Sequence, residues 1–257
     1  MNSYLRALSF LTIIPLPFVS FGPGGRELSN SASAFPLVGA TLGAILAAFA
    51  WLLLQLFPAG PVVVIILILS FILTRGLHFD GLADTADGLI GTTDREKAFR
   101  AMDDSAIGVM GASSIFFVYL LKLTLLTSLQ PGILPFALFF MLLTGRWAIV
   151  FAGTWFAPAR DKGLGDLFLR ELKWPILLKA SLWAVLMIVA FILFIYPLAA
   201  PIAAGSFLSL LAAFMLTRYA ASRLGGITGD ILGASSELGE VFFLIGFCPF
   251  FYYSGLI

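Results

Sequence analysis

The chain has 257 residues, 60% of them hydrophobic and 26 of them Phe, with 11% charged and a formal net charge of +1. A mean hydropathy of +1.04 is more than a soluble core can hide, so the composition is that of a membrane protein. The near-neutral balance gives no basic surplus that would point to nucleic acid. One Cys and one His exclude an internal disulfide and a His/Cys zinc site, so any metal has to be held by oxygen.

The N-terminal stretch YLRALSFLTIIPLPFVSF reads as an interfacial or re-entrant segment packed on the bundle. Pro15 and Pro17 break its apolar run and no small-residue cleavage site follows, which argues against a signal peptide. Seven runs then approach the roughly 20 apolar residues of a spanning helix: Ala32 to Phe57, Pro61 to Leu77, Gly108 to Ser128, Gly132 to Phe156, Trp174 to Tyr196, Pro201 to Tyr219 and Val241 to Ile257. Continuous blocks such as VVVIILILSFIL do not alternate as barrel strands do. The expected fold is an all-α integral membrane protein of about seven helices, one polytopic domain over residues 1–257.

Three connections, PAGP, QPGILP and YPLAAP, carry no charge, whereas 13 of the 15 basic residues fall at the opposite ends of the spans. Enrichment of Lys and Arg in cytoplasmic loops then puts the N-terminus and the polar loops around Asp94 and Lys162 in the cytoplasm and the C-terminus outside. Lys122 and Arg146 lie within spans. Arg146, about 21 Å from the outer end of the fourth span, is either a functional intramembrane charge or a side chain that snorkels to the interface.

Seven of the 14 acidic residues sit between the second and third spans, and HFDGLADTADGL, residues 78–89, holds three of them. As a helix turning about 100° per residue, this stretch places Asp80, Asp84 and Asp87 at about 0°, 40° and 340° around the axis. Gly91 and Asp94 continue the stripe, with Gly81 and Gly88 beside it. A solvated acidic face is the plain reading. Like charges at i, i+4 repel by a few tenths of a kcal/mol, however, and each glycine costs a helix up to about 1 kcal/mol relative to Ala. A divalent cation reverses that balance, because Mg²⁺ prefers carboxylates and often bridges them to substrate phosphates, while glycine lets a phosphate approach the backbone. The stripe therefore reads as a metal site. In DDSAIGVMGASS, Asp104 or Ser105 can cap the third span. Gly108 and Gly111 either present helix-entrance amides to an anion or are ordinary small-residue packing. The stretch RYAASRLGGITGDILGASSELGE, from Arg218, reads as a last cytoplasmic loop too polar to span lipid.

The pieces ALSFLTIIPLP, HFDGLADTADG, DDSAIGVMG and GGITGDILGA, in this order over nearly the whole chain, resemble the cobalamin synthase family, membrane-bound adenosylcobinamide-GDP ribazoletransferases of prokaryotes. A fainter similarity to CDP-alcohol phosphotransferases rests on Asp84-Thr85-Ala86-Asp87-Gly88. The continuation of that pattern is absent, so its two-metal ligand set is not carried over. The closer resemblance implies that adenosylcobinamide-GDP is joined to α-ribazole, or its 5′-phosphate, with release of GMP, by an inner-membrane enzyme using Mg²⁺ and compatible with a homo-oligomer. It implies Asp80, Asp84 and Asp87 as the metal and pyrophosphate centre, with one of them or His78 accepting a hydroxyl proton; His78 also stands where a polar cap would. Asp104, Ser105, Gly108 and Gly111 would line the phosphate site, Arg146 would contribute charge, and Gly226, Thr228, Gly229, Asp230 and Glu237 would close the other wall. The rivals are a CDP-alcohol transferase, a secondary transporter and a corrinoid-binding module. Transporters place carboxylates at the midplane of paired repeats, and here the acids lie in a loop with no repeat visible.

Overall fold

The computed structural model describes residues 3–16, 25–160 and 163–253; Pro17, Lys162 and the expected end of the seventh span at Ile257 lie outside them. The helices are α1 (Ser3–Leu11), α2 (Arg26–Ser31), α3 (Phe35–Leu53), α4 (Ala59–Leu73), α5 (Leu77–Leu89), α6 (Arg95–Met102), α7 (Val109–Thr127), α8 (Leu134–Gly153), α9 (Leu164–Glu171), α10 (Trp174–Phe194), α11 (Ala199–Leu224), α12 (Gly229–Phe247) and α13 (Pro249–Tyr253). Among the described residues six helical stretches are long and apolar enough to cross a bilayer, and α4 with α5 would make a seventh if that bent pair is one span. The chain is a multi-pass membrane protein. Its α1, only nine residues long, packs on α2 and α3 as the additional N-terminal segment.

The chain turns 88° between α4 and α5. Arg75 (φ 55°) and Gly76 (φ 66°) are both left-handed there, a conformation that costs a non-glycine residue energy, and Arg75 is held by donating from Nη2 to the Phe10 carbonyl at 3.2 Å. So α5 runs across the end of the bundle, and we place it outside the span.

The helices differ sharply in what they face. In α7 and α10 only 22% of the spanning window is buried within the protein, against 83% in the stretch from Gly229, so α7 and α10 meet lipid and α12 does not. This corrects the sequence expectation of a loop running from Arg218 to Glu240. Residues 218–224 finish α11, the link is only 225–228, and α12 begins at Gly229 rather than at Val241. A segment too polar for lipid still crosses the bundle when protein surrounds it.

The polar side chains of α12 explain its position. Lys122 of α7 donates to Glu237 at 2.6 Å and to Glu240 at 2.5 Å, and Arg146 of α8 donates to the other oxygen of Glu240. All four side chains are buried. Two cations thus meet two carboxylates, and the group is neutral as a whole. Of the two expectations for Arg146, snorkelling is overturned, since its side chain is buried and paired with Glu240 inside the bundle. Close approach of α8 to α12 needs Gly145, where a Cβ would lie 2.6 Å from Glu240 Cγ. Hydroxyls such as Thr144 and Ser235 bond back to carbonyls four residues earlier in their own helices, which satisfies them without a partner helix.

Removing one member of a buried ion pair leaves a charge uncompensated at a cost of about 3–5 kcal/mol. Glu240→Gln is therefore expected to lower the melting temperature in detergent markedly, and an unchanged value would show that these pairs do not hold α12 in place.

Candidate active site at the α5–α12 contact

The α5 helix buries almost everything except its acids. His78, Phe79, Gly81, Leu82, Ala83, Thr85, Ala86, Gly88 and Leu89 are buried, whereas Asp80 is exposed and Asp84 and Asp87 are half-buried. The stripe read from the sequence is real and stops at Asp87. Gly91 falls beyond the helix, and Asp94 instead caps α6 by accepting from the Lys97 amide at 2.8 Å.

The three carboxylates are not equivalent. Asp87 accepts from the Gly108 amide at 2.8 Å and the Gly111 amide at 2.9 Å. It caps the start of α7, the role expected of Asp104 or Ser105, and takes up the amides expected to meet a phosphate. Asp104 instead accepts from Ala106 N at 2.9 Å. Asp103 is bound at 2.6 and 2.8 Å by Arg160. The carboxylates of Asp80 and Asp84, one helical turn apart, have no hydrogen bond or ion pair among the described residues. Both face a cleft of about 710 Å³ that also has Arg75, Asp103, Asp104 and Ser105 on its walls. Burial, then repulsion from Asp80, Asp230, Asp87 and Asp103, pushes the Asp84 carboxyl up to about 7.

The opposite wall is the start of α12. At Gly81 a Cβ would lie 2.7 Å from the Asp230 carbonyl oxygen, so this glycine serves helix contact rather than phosphate approach. Gly88 likewise is closed off, since its Cβ would meet Met102 Cγ at 2.6 Å. The 225–228 link is pinned by Ala159 N donating to the Ile227 carbonyl at 2.8 Å and Ile227 N to Ala157 O at 3.0 Å. Gly226 packs on that segment, with room for no side chain. Thr228 is buried, and its hydroxyl contacts Asp230 Oδ2 at 3.1 Å.

A second, more enclosed chamber of about 240 Å³ lies on the other side of Asp80, bounded by His78, Gly229 and Asp230 among others. His78 is no polar cap, because its ring is buried. Burial first, then Arg146 and Lys122, holds its pKa well below the ordinary value and so keeps it neutral. The structure thus brings Asp80, Asp84, Asp104, Ser105, Gly229 and Asp230 around two adjoining spaces. It does not bring Glu237 there, about 10 Å further along α12 at 1.5 Å per residue; with Arg146 it belongs to the ion network. Sequence reasoning misses Asp103, Lys122 and Glu240. Lys122 lies within a span as Arg146 does, and the tendency of intramembrane charges to pair with one another is the signal that leads from these two cations to the glutamates.

No three acidic, His or Cys side chains among the described residues form a ready-made metal cluster. Mg²⁺, however, is commonly held by one or two carboxylates together with substrate phosphates and water. Two unpartnered aspartates facing an open cleft fit a cation of that kind, and three do not converge because Asp87 is occupied.

The helices and this acidic end define a polytopic helical membrane protein with a carboxylate-lined site at one end of the bundle. A family model described as cobalamin-5-phosphate synthase matches residues 3–248, and the chain belongs to that family. It is 36% identical over 254 residues to a Desulfitobacterium hafniense (strain Y51) protein named adenosylcobinamide-GDP ribazoletransferase, covering 96% of each chain. Proteins of the same name from Thermoanaerobacter sp. (strain X514) and Clostridioides difficile (strain 630) are 35% and 30% identical, over 94% and 95% of this chain and 94% and 96% of theirs. No solved structure matches.

A folded-state carboxyl pKa near 7, above the ordinary value of about 4, means that the folded protein holds the proton more tightly than the unfolded chain does. Stability therefore falls as pH rises through that window and levels off above it. In chelator the melting temperature should decline from about pH 4 to 7, and Asp84→Asn should flatten the decline. An equal slope in both proteins would place the titration elsewhere.

Proposed function

We propose that the chain is an adenosylcobinamide-GDP ribazoletransferase. It joins adenosylcobinamide-GDP to α-ribazole or its 5′-phosphate, at the cytoplasmic face of a prokaryotic inner membrane. The observation that carries the site assignment is the free pair Asp80 and Asp84, unpartnered beside a cleft large enough for a pyrophosphate and part of a nucleotide. Family membership and the relatives' printed names support the substrates.

A ribose hydroxyl oxygen bonds to the phosphorus carrying the corrinoid alcohol, the bond from that phosphorus to the bridging oxygen breaks, and GMP leaves with the bridging oxygen. Such transfer asks the protein for positioning and charge neutralisation more than for covalent chemistry. Asp80 and Asp84 would hold Mg²⁺ with the pyrophosphate, and the cation supplies neutralisation of charge on the phosphate oxygens. Asp230, against the chamber and across the α5–α12 contact, accepts the hydroxyl proton. Arg75, on the cleft wall, orients a phosphate oxygen. Asp87 serves by fixing the start of α7, which keeps the cleft's far wall in register.

The orientation is supported by charge. The links after α3, α7 and α10 contain no charged residue, whereas Arg75, Arg95, Lys97, Arg100, Arg160 and Arg223 gather at the end that carries the acids. A cysteine at Thr93 in a Cys248→Ser background should resist an impermeant maleimide in intact cells, and labelling from outside would reverse the orientation.

The activity test is GMP release by purified protein in detergent, where no ion gradient exists, from adenosylcobinamide-GDP, α-ribazole and Mg²⁺. Asp84→Asn and Asp230→Asn should each reduce the rate by at least about 10²-fold, the usual loss when a strong transition-state electrostatic contact is removed. Failure of the parent to release GMP would refute the reaction, and near-normal turnover in both folded variants would remove these carboxylates from it.

A further inference from the structure

The enclosed chamber beside Asp80 has a composition unlike the acidic cleft. Three phenylalanines from distant parts of the chain form one column on its wall. Phe10 and Phe35 stack with ring centroids 6.2 Å apart and planes 16° apart, and Phe35 and Phe168 at 5.9 Å and 6°. Leu28 and Ile149 extend the apolar surface, while the backbone at Gly229 and Gly233 forms part of the remaining wall. Nδ1 of the buried His78, which also lines the chamber, has no hydrogen-bond partner. A buried polar atom without a partner costs free energy and calls for an explanation.

We infer that this chamber is the subsite for the planar nitrogen-heteroaromatic base of the ribazole, seated along the phenylalanine column with its free ring nitrogen bonded by His78. The inference rests on the ribazole-transfer reading above. Three observations select this occupant. First, at about 240 Å³ the chamber is smaller than the roughly 300–1,000 Å³ that encloses a drug-sized ligand, so it takes one ring system and neither a corrin macrocycle nor a nucleotide. Second, the other heteroaromatic base in the reaction, guanine, carries several donors and acceptors on its edges. Asp80 and Asp230 on the wall could accept only from its N–H groups, leaving its carbonyl and ring-nitrogen acceptors buried against phenylalanine and leucine, which a site does not tolerate. A benzimidazole bonded to ribose through one nitrogen has a single exposed lone pair, which an N–H of the His78 imidazole on the chamber wall can meet. Third, Asp80 lines both spaces, so a base held in the chamber directs its ribose toward Asp80 and Asp230 and to the edge of the cleft. Stacking and apolar enclosure then supply affinity, and His78 orients the ring.

The test uses the intact protein in detergent. A benzimidazole bearing a diazirine is photo-crosslinked to the unaltered protein, with α-ribazole or GMP as competitor, and the labelled peptides are mapped; GMP release is measured on the same preparation. Label on the peptides carrying Phe35 and Phe168, suppressed by α-ribazole and not by GMP, is the expected result. His78→Leu, which keeps bulk and removes the donor, should raise KM for α-ribazole about tenfold, as expected for one lost hydrogen bond to a buried group, and leave KM for the GDP-activated corrinoid unchanged. Label confined to the acidic cleft, protection by GMP, or an unchanged α-ribazole KM in a folded His78→Leu protein would overturn the assignment. Parent protein that releases GMP but labels elsewhere loses the subsite and keeps the reaction. Parent that labels the chamber under α-ribazole protection and releases no GMP keeps the subsite and loses the reaction. If His78→Leu does not fold, the labelling of the unaltered protein decides.

Discussion

A helix that carries two glutamates to membrane depth has to be walled off from lipid, and that requirement sets the layout of the bundle. Lys122 and Arg146 come from two different helices to meet Glu237 and Glu240. The group is worth little as net stabilisation against an apolar alternative, since desolvation offsets most of the attraction. Its value is geometric. Four charges that must find one another admit few relative positions of α7, α8 and α12, and with α12 so fixed its first turn meets α5 at Gly81. The separation of Asp230 from Asp80 and Asp84 is inherited from that register.

The same economy governs the acids of α5. Three carboxylates on one face repel one another, and the structure deals with them in different ways. Asp87 is held by the two amides at the start of α7, and Arg160 takes up Asp103, a fourth carboxylate that lies outside α5. Asp80 and Asp84 remain uncompensated, and burial first, with repulsion from the neighbouring acids added to it, raises the Asp84 carboxyl. In the reaction proposed above, a cation arriving with its own phosphate ligands would offset that repulsion, which suits a site that must also let the product go.

Local rules made part of this legible in the sequence. The rotation of 100° per residue placed the aspartates on one face correctly, because α5 is a regular helix whose other faces are buried, and the long apolar runs marked the spans. The start of α12 was not legible. Hydropathy averages around a helix, and GGITGDILGASSELGE reads as polar whether its polar side meets water or a neighbouring helix. The partner of Asp87 was hidden for a similar reason, since the Gly108 and Gly111 amides belong to a segment more than 20 residues away and nothing local identifies which anion will cap them. The phenylalanine column drew on α1, α3 and α9, and no spacing rule connects Phe10, Phe35 and Phe168.

The order of the charges along the chain has a consequence for biogenesis. Lys122 and Arg146 are synthesised about 90 to 120 residues before the glutamates that neutralise them, and chain growth at roughly 5–20 residues per second leaves several seconds between. During that interval the nascent bundle carries two intramembrane cations with neither Glu237 nor Glu240 yet made. A chain that stops before Gly229 therefore holds Lys122 and Arg146 without the carboxylates that pair with them in the complete protein. Completion of the last long helix supplies both counter-charges and, in the same event, brings Asp230 against α5, so pairing of the buried charges and closure of the α5–α12 contact coincide.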